Sequence, residues 1–293
     1  AGARVLFEQL SEDDLCADYA VLCAVKLNTQ DCGRLVESVD GAHPKTVLNS
    51  EIHFEYGKLL YSEGNYSRSS EEFAKVSPKS LPRRVRGEYW FKKGFCHYNR
   101  DEFDAAMQCY LKALDHPSEY DIAAGFGIAS IYYGRRDFKT AASWFERSSD
   151  DEQFGALSRF YLVDCHFMLK DYAYATKMGE AIYAEVPQER QEHLSRILSE
   201  AYLVLGDAAK AKEYLGREDL NALTATDEDV FHAASVLYAG EDWNGAVKYF
   251  SMMSSRSDSL GQIASYQMGN SYIQLKNKVA AMNAFKEASM LRY

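Results

Sequence analysis

Residues 87–114 read GEYWFKKGFCHYNRDEFDAAMQCYLKAL. Trp90, Lys93-Gly94 and His97 lie three or four residues apart and so share one face of a helix. Past Asp101, Phe103 opens a second helix whose matching stripe is Ala106, Tyr110 and Ala113. Small residues where the stripes cross let two backbones approach, and the aromatics fill the groove around them. Gly94→Leu or Ala106→Leu is therefore expected to overpack the crossing and cost about 1–3 kcal/mol. The same figure recurs. Tyr56-Gly57 leads to Tyr66 and Phe73, and Met268-Gly269 leads to Ala281 and Phe285. Anchoring each copy eight residues in places starts at Ser50, Gly87, Ile122, Ala156, Glu192, Asp227 and Gln262, in steps of 37, 35, 34, 36, 35 and 35. A period near 35 with helical spacing inside each copy marks a stacked array of helix hairpins. The expected fold is an all-α solenoid of stacked antiparallel helix hairpins.

Working outward, residues 50–291 hold seven units and residues 1–49 a degenerate beginning. There, Asp13 to Lys26 and Asp31 to Val39 read as a weak hairpin, with Val5 to Leu10 the remnant of an earlier one. Asp40 to Asn49, with Gly41 and Pro44, is the linker-like break. Pro78, Pro117 and Pro187 fall just past expected second helices, where a residue that cannot continue a helix belongs. Gly64 and Gly206, with Asp101 or Lys170, mark turns between helices, where a positive φ is needed. The chain begins Ala1-Gly2-Ala3, and the last unit closes on Phe285, Ala288 and Leu291 with no polar capping helix after it. Solenoid ends need a polar outer face. The native chain is thus expected to continue, and uncapped ends invite self-association.

Composition narrows the function. A formal charge of −10 argues against nucleic acid, which demands clustered Lys and Arg on one face. The basic stretch Lys79, Arg83, Arg84, Arg86, Lys92 and Lys93 reads as a solvated loop and helix start in an otherwise acidic chain. No apolar run approaches the roughly 20 residues that span a bilayer. Chemistry is sparse, and no enzymatic role, cofactor or metal is expected. Cys16, Cys23, Cys32, Cys96, Cys109 and Cys165 show no C-x-x-C spacing. Cys96 and Cys165 hold equivalent small positions in two first helices, each before a histidine, and read as core. No nucleophile elbow, P-loop, zinc helix or dinucleotide fingerprint occurs.

The recurring pattern resembles the tetratricopeptide repeat family, whose consensus sets an aromatic, Leu-Gly, Tyr, then Gly-x-Tyr, Ala, an aromatic, Ala and Pro at these offsets. Copies depart from it. Val163 and Ser199 replace the paired glycine, Lys278 the turn aromatic, and Gly179 stands where a large residue is usual. The resemblance implies a right-handed superhelix with first helices lining a concave groove, and groove-facing offsets two, five, nine, twelve and thirteen. At the fifth stand Phe54, Phe91, Phe126, Phe160, Arg196, Phe231 and Tyr266; at the twelfth, Tyr61, Tyr98, Tyr133, Phe167, Leu203, Tyr238 and Ile273. Eleven of these fourteen are aromatic, so the implied groove carries an aromatic ladder, interrupted by Arg196 with Glu200 one turn on. Such a ladder suits a peptide or helix of a partner protein. The same offsets also pack against neighbouring units in the consensus, and both roles stay open at this point.

Glu51, Glu88, Asp164, Glu200 and Glu228 share the implied concave side with Lys58 and Arg196, which favours a mildly basic, amphipathic partner. The Lys and Asn set that clamps a terminal carboxylate in some family members is lacking; Asn270 alone stands at a ninth offset. The expectation is a non-enzymatic interaction scaffold; the alternative is a structural or self-associating segment of a larger protein. The repeat style, as in Ile-Tyr-Tyr-Gly-Arg-Arg-Asp-Phe, is similar to the long repeat proteins of Gram-negative envelopes. That implies a bacterial periplasmic or outer-membrane-associated location, while unpaired cysteines point to the cytoplasm as the alternative.

Overall fold

A turn of fixed chemistry recurs along the chain and decides where its helices end. At Gly64, Asp101, Arg136, Lys170, Gly206, Glu241 and Lys276 the backbone takes a positive φ between 59° and 83°. The amide of the next residue then reaches back five residues to a helix carbonyl, as from Asn65 to Leu60 (2.9 Å), Asp137 to Tyr132 (3.0 Å) and Asn277 to Tyr272 (2.9 Å). These bonds satisfy carbonyls left over at a helix end. That next residue also starts the second helix. Asn65, Asp137, Asp171, Asp207, Asp242 and Asn277 each accept a backbone N–H from three residues on, capping it. A short polar sequence thus stops one helix, reverses the chain and starts another.

The computed structural model describes residue 5 and residues 14–43, 45–216, 226–253 and 256–291. The expected helix at Val5 to Leu10 lies outside the described residues apart from Val5, and so does Pro44. The chain divides into two compact units, Ala1–Phe154 and Gly155–Tyr293. Every regular element among the described residues is helical. The first unit holds α1 (Asp14–Lys26), α2 (Cys32–Ala42), α3 (Asn49–Ser62), α4 (Tyr66–Lys75), α5 (Arg86–Tyr98), α6 (Phe103–Leu114), α7 (Asp121–Gly134) and α8 (Phe138–Phe145). The second holds α9 (Gly155–Met168), α10 (Tyr172–Ile182), α11 (Gln188–Leu205), α12 (Ala208–Leu215), α13 (Asp227–Ala239), α14 (Trp243–Ser251), α15 (Ser259–Gln274) and α16 (Lys278–Met290). Within each unit, sequential helices pack as antiparallel hairpins and each hairpin stacks on the next. The fold is the all-α solenoid that the 35-residue period implies.

The hairpin crossings depend on side chains too small to keep backbones apart. A Cβ at Gly57 would stand 2.6 Å from the Phe73 ring, and one at Gly269 2.6 Å from Phe285. At Gly94 the nearest atoms would be Tyr110 at 2.9 Å and Cys109 at 3.1 Å. Across the α3/α4 crossing the Ser69 hydroxyl donates to the Gly57 carbonyl (2.8 Å). In α11/α12 Ser199, in the place of the paired glycine, donates to the Ala211 carbonyl (2.9 Å). The departure from the consensus is thus accommodated by turning a serine into a cross-helix donor.

Within the basic stretch Lys79, Arg83 and Arg84 are exposed, as expected of a solvated loop, while Arg86, Lys92 and Lys93 are half-buried. Arg86 donates to the carbonyls of Leu81 and Lys79, both at 3.0 Å, and pins its own loop. Lys92 sits 4.5 Å from the Tyr61 ring centre and Lys93 5.5 Å from that of Tyr89. Burial holds the Lys93 ammonium below its ordinary pKa, with Lys112 adding to the effect and Cys109 opposing it. Aromatic faces, with the Glu88 carboxylate beside Lys92, receive these two cations.

Candidate protein-binding surfaces

The expected ladder resolves into two sets of internal ring pairs. Each twelfth-offset aromatic meets the first residue of its own second helix, five positions on, edge to face. The pairs are Tyr61–Tyr66 (5.7 Å), Tyr98–Phe103 (5.5 Å), Tyr133–Phe138 (5.7 Å), Phe167–Tyr172 (5.8 Å) and Tyr238–Trp243 (5.3 Å). Where the fifth residue on is Ala208 or Lys278, the first is Leu203 or Ile273. Fifth-offset rings pair nineteen residues on: Phe54–Phe73 (6.2 Å), Phe91–Tyr110 (5.9 Å), Phe126–Phe145 (5.4 Å), Phe231–Phe250 (6.0 Å) and Tyr266–Phe285 (5.7 Å). Phe160 has Gly179 at that distance and packs instead on Tyr161 (5.5 Å) and the His193 ring (5.7 Å).

Exposure then separates these residues. Phe54 is 1% exposed, and Phe91 and Phe160 are also buried, so little of their surface remains for a ligand. Tyr61, Tyr98, Phe126, Tyr133, Phe167, Phe231 and Tyr238 are half-buried, and Tyr266 is 53% exposed. The acidic residues of the implied groove are partly committed to local partners. Glu51 pairs with Lys26 (2.8 Å) and Glu88 with Lys92 (3.6 Å), while Asp164 is buried beside His193 (3.2 Å).

In the first unit, two facing helices leave a cavity of about 200 Å³. Phe91, Phe95 and Tyr98, one stripe of α5, form one wall; Ala123, Gly127 and Ser130, one stripe of α7, form the other. Tyr110 makes the floor, with Phe126 and Phe154 alongside, their rings 5.1 Å apart. The cavity exists because three small side chains face three aromatic ones. A Cβ at Gly127 would stand only 2.6 Å from Tyr110, so glycine there lets the floor ring lie flush beneath the helix. The wall is apolar, since the Ser130 hydroxyl is turned back to donate to the Phe126 carbonyl (2.9 Å).

In the second unit, α11 and α13 enclose a larger cavity of about 350 Å³ with a different lining. Leu203, Val204, Phe231 and Leu260 make its apolar side; Arg196, Glu200, Glu228, His232 and Ser235 make its polar side. Arg196 is held by Glu200 (3.2 Å) and by Asp229. His232 is buried, and its Nε2 lies 2.9 Å from the Ser199 hydroxyl. Burial holds the His232 imidazole below its ordinary pKa, the Glu200 carboxylate opposing, Arg196 adding and Asp229 opposing.

Neither cavity was legible from the ladder alone, although one signal was present. Offsets two, six and nine carry Glu88, Lys92 and Phe95 in the second unit of the repeat but Ala123, Gly127 and Ser130 in the third. A local loss of side-chain volume on one helical face opens space against an unchanged aromatic neighbour. Elsewhere the chemistry is quiet. All six cysteines are free thiols, and burial pushes Cys165 up to about 12. Among the described residues, no group of three or more His, Cys, Asp or Glu side chains is placed to hold a metal ion. No helix among them is long and apolar enough to cross a membrane.

Residues 87–115, the α5/α6 hairpin beside the first cavity, match the family described as Tetratricopeptide repeat. No curated protein matches the sequence. Among solved structures, the apo form of RapI is 14% identical, covers 95% of this chain and 84% of its own, and superposes with a TM-score of 0.51. That likeness speaks to the helical-repeat fold alone. PilW, a type IV pilus biogenesis factor, is 13% identical over 73% of this chain and 97% of its own, with a TM-score of 0.49. A tetratricopeptide repeat protein from Parabacteroides merdae ATCC 43184 is 12% identical over 99% and 100%, at 0.46.

Proposed function

We propose that this tetratricopeptide-repeat chain is a non-enzymatic scaffold that receives an apolar anchor of a partner protein segment in the cavity between α5 and α7. The observation that carries the reading is the apolar, ring-walled space of about 200 Å³ built from Phe91, Phe95, Tyr98, Tyr110 and Phe126. Sites for small molecules run to about 300–1,000 Å³, so this one suits one or two side chains of a peptide instead. Rigid aromatic walls lose little entropy on binding and supply the contact area typical of interface hot spots. Lys92, Tyr61 and Tyr120 stand nearby, the ammonium 4.5 and 5.5 Å from the two ring centres. The acidic balance of the chain favours a mildly basic, amphipathic partner. The proposed compartment, on the style of the repeats, is the bacterial envelope.

Filling the cavity tests the reading without dismantling it. Phe91→Ala would remove a buried ring packed on Tyr110, whereas Ser130→Leu adds volume in the cavity wall and gives up only a local hydroxyl bond. Peptides selected from a displayed random library on the parent should carry an apolar anchor and lose about tenfold or more in affinity for Ser130→Leu. Equal binding to both proteins would refute the site.

A second reading rests on a separate observation. The α15/α16 hairpin leaves Ile263, Tyr266, Ile273, Val279, Met282 and Met290 exposed. An apolar hairpin face of this kind suits stacking on another repeat or a second copy of the chain. Val279→Glu with Met282→Glu should then lower the mass observed by light scattering; an unchanged mass at every concentration would remove this reading.

A further inference from the structure

Across the repeat, the seventh offset belongs to the core. It is Tyr56, Ile128, Leu162, Leu198, Ala233 and Met268 in six of the units, and every one of these side chains is buried. In the second unit it is Lys93. That side chain is half-buried, so an amine is drawn in where the fold elsewhere places an apolar group, while part of it stays open to solvent. Such surroundings disfavour an ammonium and favour the neutral, nucleophilic amine.

The neighbours add to the effect instead of relieving it. Lys93 of α5 and Lys112 of α6 stand over one indole, their nitrogens 5.7 and 4.4 Å from the Trp90 ring centre, and among the described residues no carboxylate pairs with Lys93. Cys109 is buried beside them, and burial pushes its thiol up, so no thiolate is at hand to balance the two charges. Lys93 donates to the Tyr89 hydroxyl (3.2 Å), whose own proton goes to the Phe73 carbonyl (3.0 Å). That hydroxyl has no hydrogen to give back, and the lone pair of a neutral Lys93 is left for an electrophile. Burial and a second cation nearby are the two settings that activate a lysine nucleophile, and both occur here.

We infer that Lys93 is a modification site, acylated by an activated acyl donor with an anionic leaving group, of which the acyl phosphates are the simplest. The neutral Lys93 nitrogen attacks the acyl carbon and the N–C bond forms. The C–O bond to phosphate breaks, its electron pair leaves on the phosphate, and the surplus proton of the nitrogen passes to water. Exposed Lys112 supplies the positive charge that holds the phosphate beside the attacking amine. The product is a neutral amide, which a half-buried aromatic setting tolerates better than an ammonium, and it ends the crowding of two cations on Trp90. This site is independent of the cavity between α5 and α7 and of the scaffold reading built on it.

The test incubates the whole chain with acetyl phosphate from about pH 6.5 to 9 and follows acetylation of each lysine by mass spectrometry. Two lysines serve as comparators: Lys79, exposed in its loop, and Lys92, next along the chain but paired with Glu88 (3.6 Å). Lys93 should react at least about threefold faster than either near pH 7.5, and its rate should level off at a lower pH. Lys112→Gln should slow Lys93 about twofold or more and leave Lys79 unchanged, whereas Lys112→Arg, which keeps the charge, should retain most of the rate. In urea the preference should vanish, because it comes from the packing of α5 on α6. Equal rates at the three lysines, a shared pH profile, an unchanged Lys93 rate in Lys112→Gln, or a preference that survives unfolding would overturn the site.

Discussion

Replacing Gly57 by alanine should destabilise the first unit by about 2 kcal/mol, although alanine is the better helix former. The new Cβ would lie 2.6 Å from Phe73 Cε1, 2.8 Å from Cδ1 and 3.2 Å from Cζ. Ordinary carbon contacts lie near 3.5–4.0 Å, so the ring must retreat by about 1 Å along its whole edge. It has nowhere easy to go. Phe73 is fully buried, with Phe54 6.2 Å and Tyr89 5.8 Å from its ring centre, and the Tyr89 hydroxyl donates to the Phe73 carbonyl (3.0 Å). Overpacking of this kind costs about 1–3 kcal/mol, and three clashing ring atoms put this case at the upper end. Gaining alanine in a helix returns about 1 kcal/mol, which leaves the net figure. Gly134, at the end of α7, supplies the opposite case, since a Cβ there meets nothing within 4 Å. Gly134→Ala should therefore stabilise by about 0.5–1 kcal/mol. Both are read by urea unfolding followed by circular dichroism, comparing midpoints at equal slope. The reasoning is refuted if Gly57→Ala matches or exceeds the parent, or if both variants move the midpoint the same way.

Two further perturbations follow from the turns and from a partly buried charge cluster. Lys276 holds φ at 60° in a turn where Gly64 and Gly206 stand elsewhere, so Lys276→Gly should raise stability by about 0.5–1 kcal/mol, measurable as a higher melting temperature. His53, fully buried, faces Glu72 with Nδ1 (2.6 Å) and Asp40 with Nε2 (2.9 Å), and Lys75 bridges the same two carboxylates, at 3.2 Å from Glu72 and 2.8 Å from Asp40. Burial alone would raise the Glu72 and Asp40 pKa values, but hydrogen bonds and charge from His53 and Lys75 hold both below the ordinary range. A depressed folded pKa gives stability that is present above the unfolded value and lost as pH falls through the folded one. The α3/α4 hairpin should thus weaken below about pH 4, and hydrogen exchange should show Glu72→Gln to be weaker at neutral pH and flatter on the acid side.

Much of this protein was legible without coordinates, because its defining signals are local. The hairpin turn needs a positive φ, a capping Asn or Asp and an aromatic, all within five or six residues, and that pattern recurs at Gly64, Arg136, Lys170 and Glu241 with the repeat's own period. The ring pairs Tyr98–Phe103 and Phe91–Tyr110 are equally local, five and nineteen residues apart inside one hairpin. Even their exceptions can be read: where Ala208 and Lys278 lack a ring, Leu203 and Ile273 lack one too.

Which of those rings a partner could touch is a different kind of fact. Phe54, Phe91 and Phe126 hold the same offset, yet Phe54 is wholly buried while Phe91 and Phe126 line a cavity, because exposure depends on the neighbouring hairpin and not on the residue's own. Which ring nitrogen of His232 carries its hydrogen likewise follows from Ser199, thirty-three residues away, having already donated its proton to Ala211 on a third helix. Periodicity determined the hairpins, since a backbone turn and its caps are satisfied within one stretch of chain. Stacking decided the surfaces, since volume, burial and the direction of a hydrogen bond are set by whichever helices meet in space.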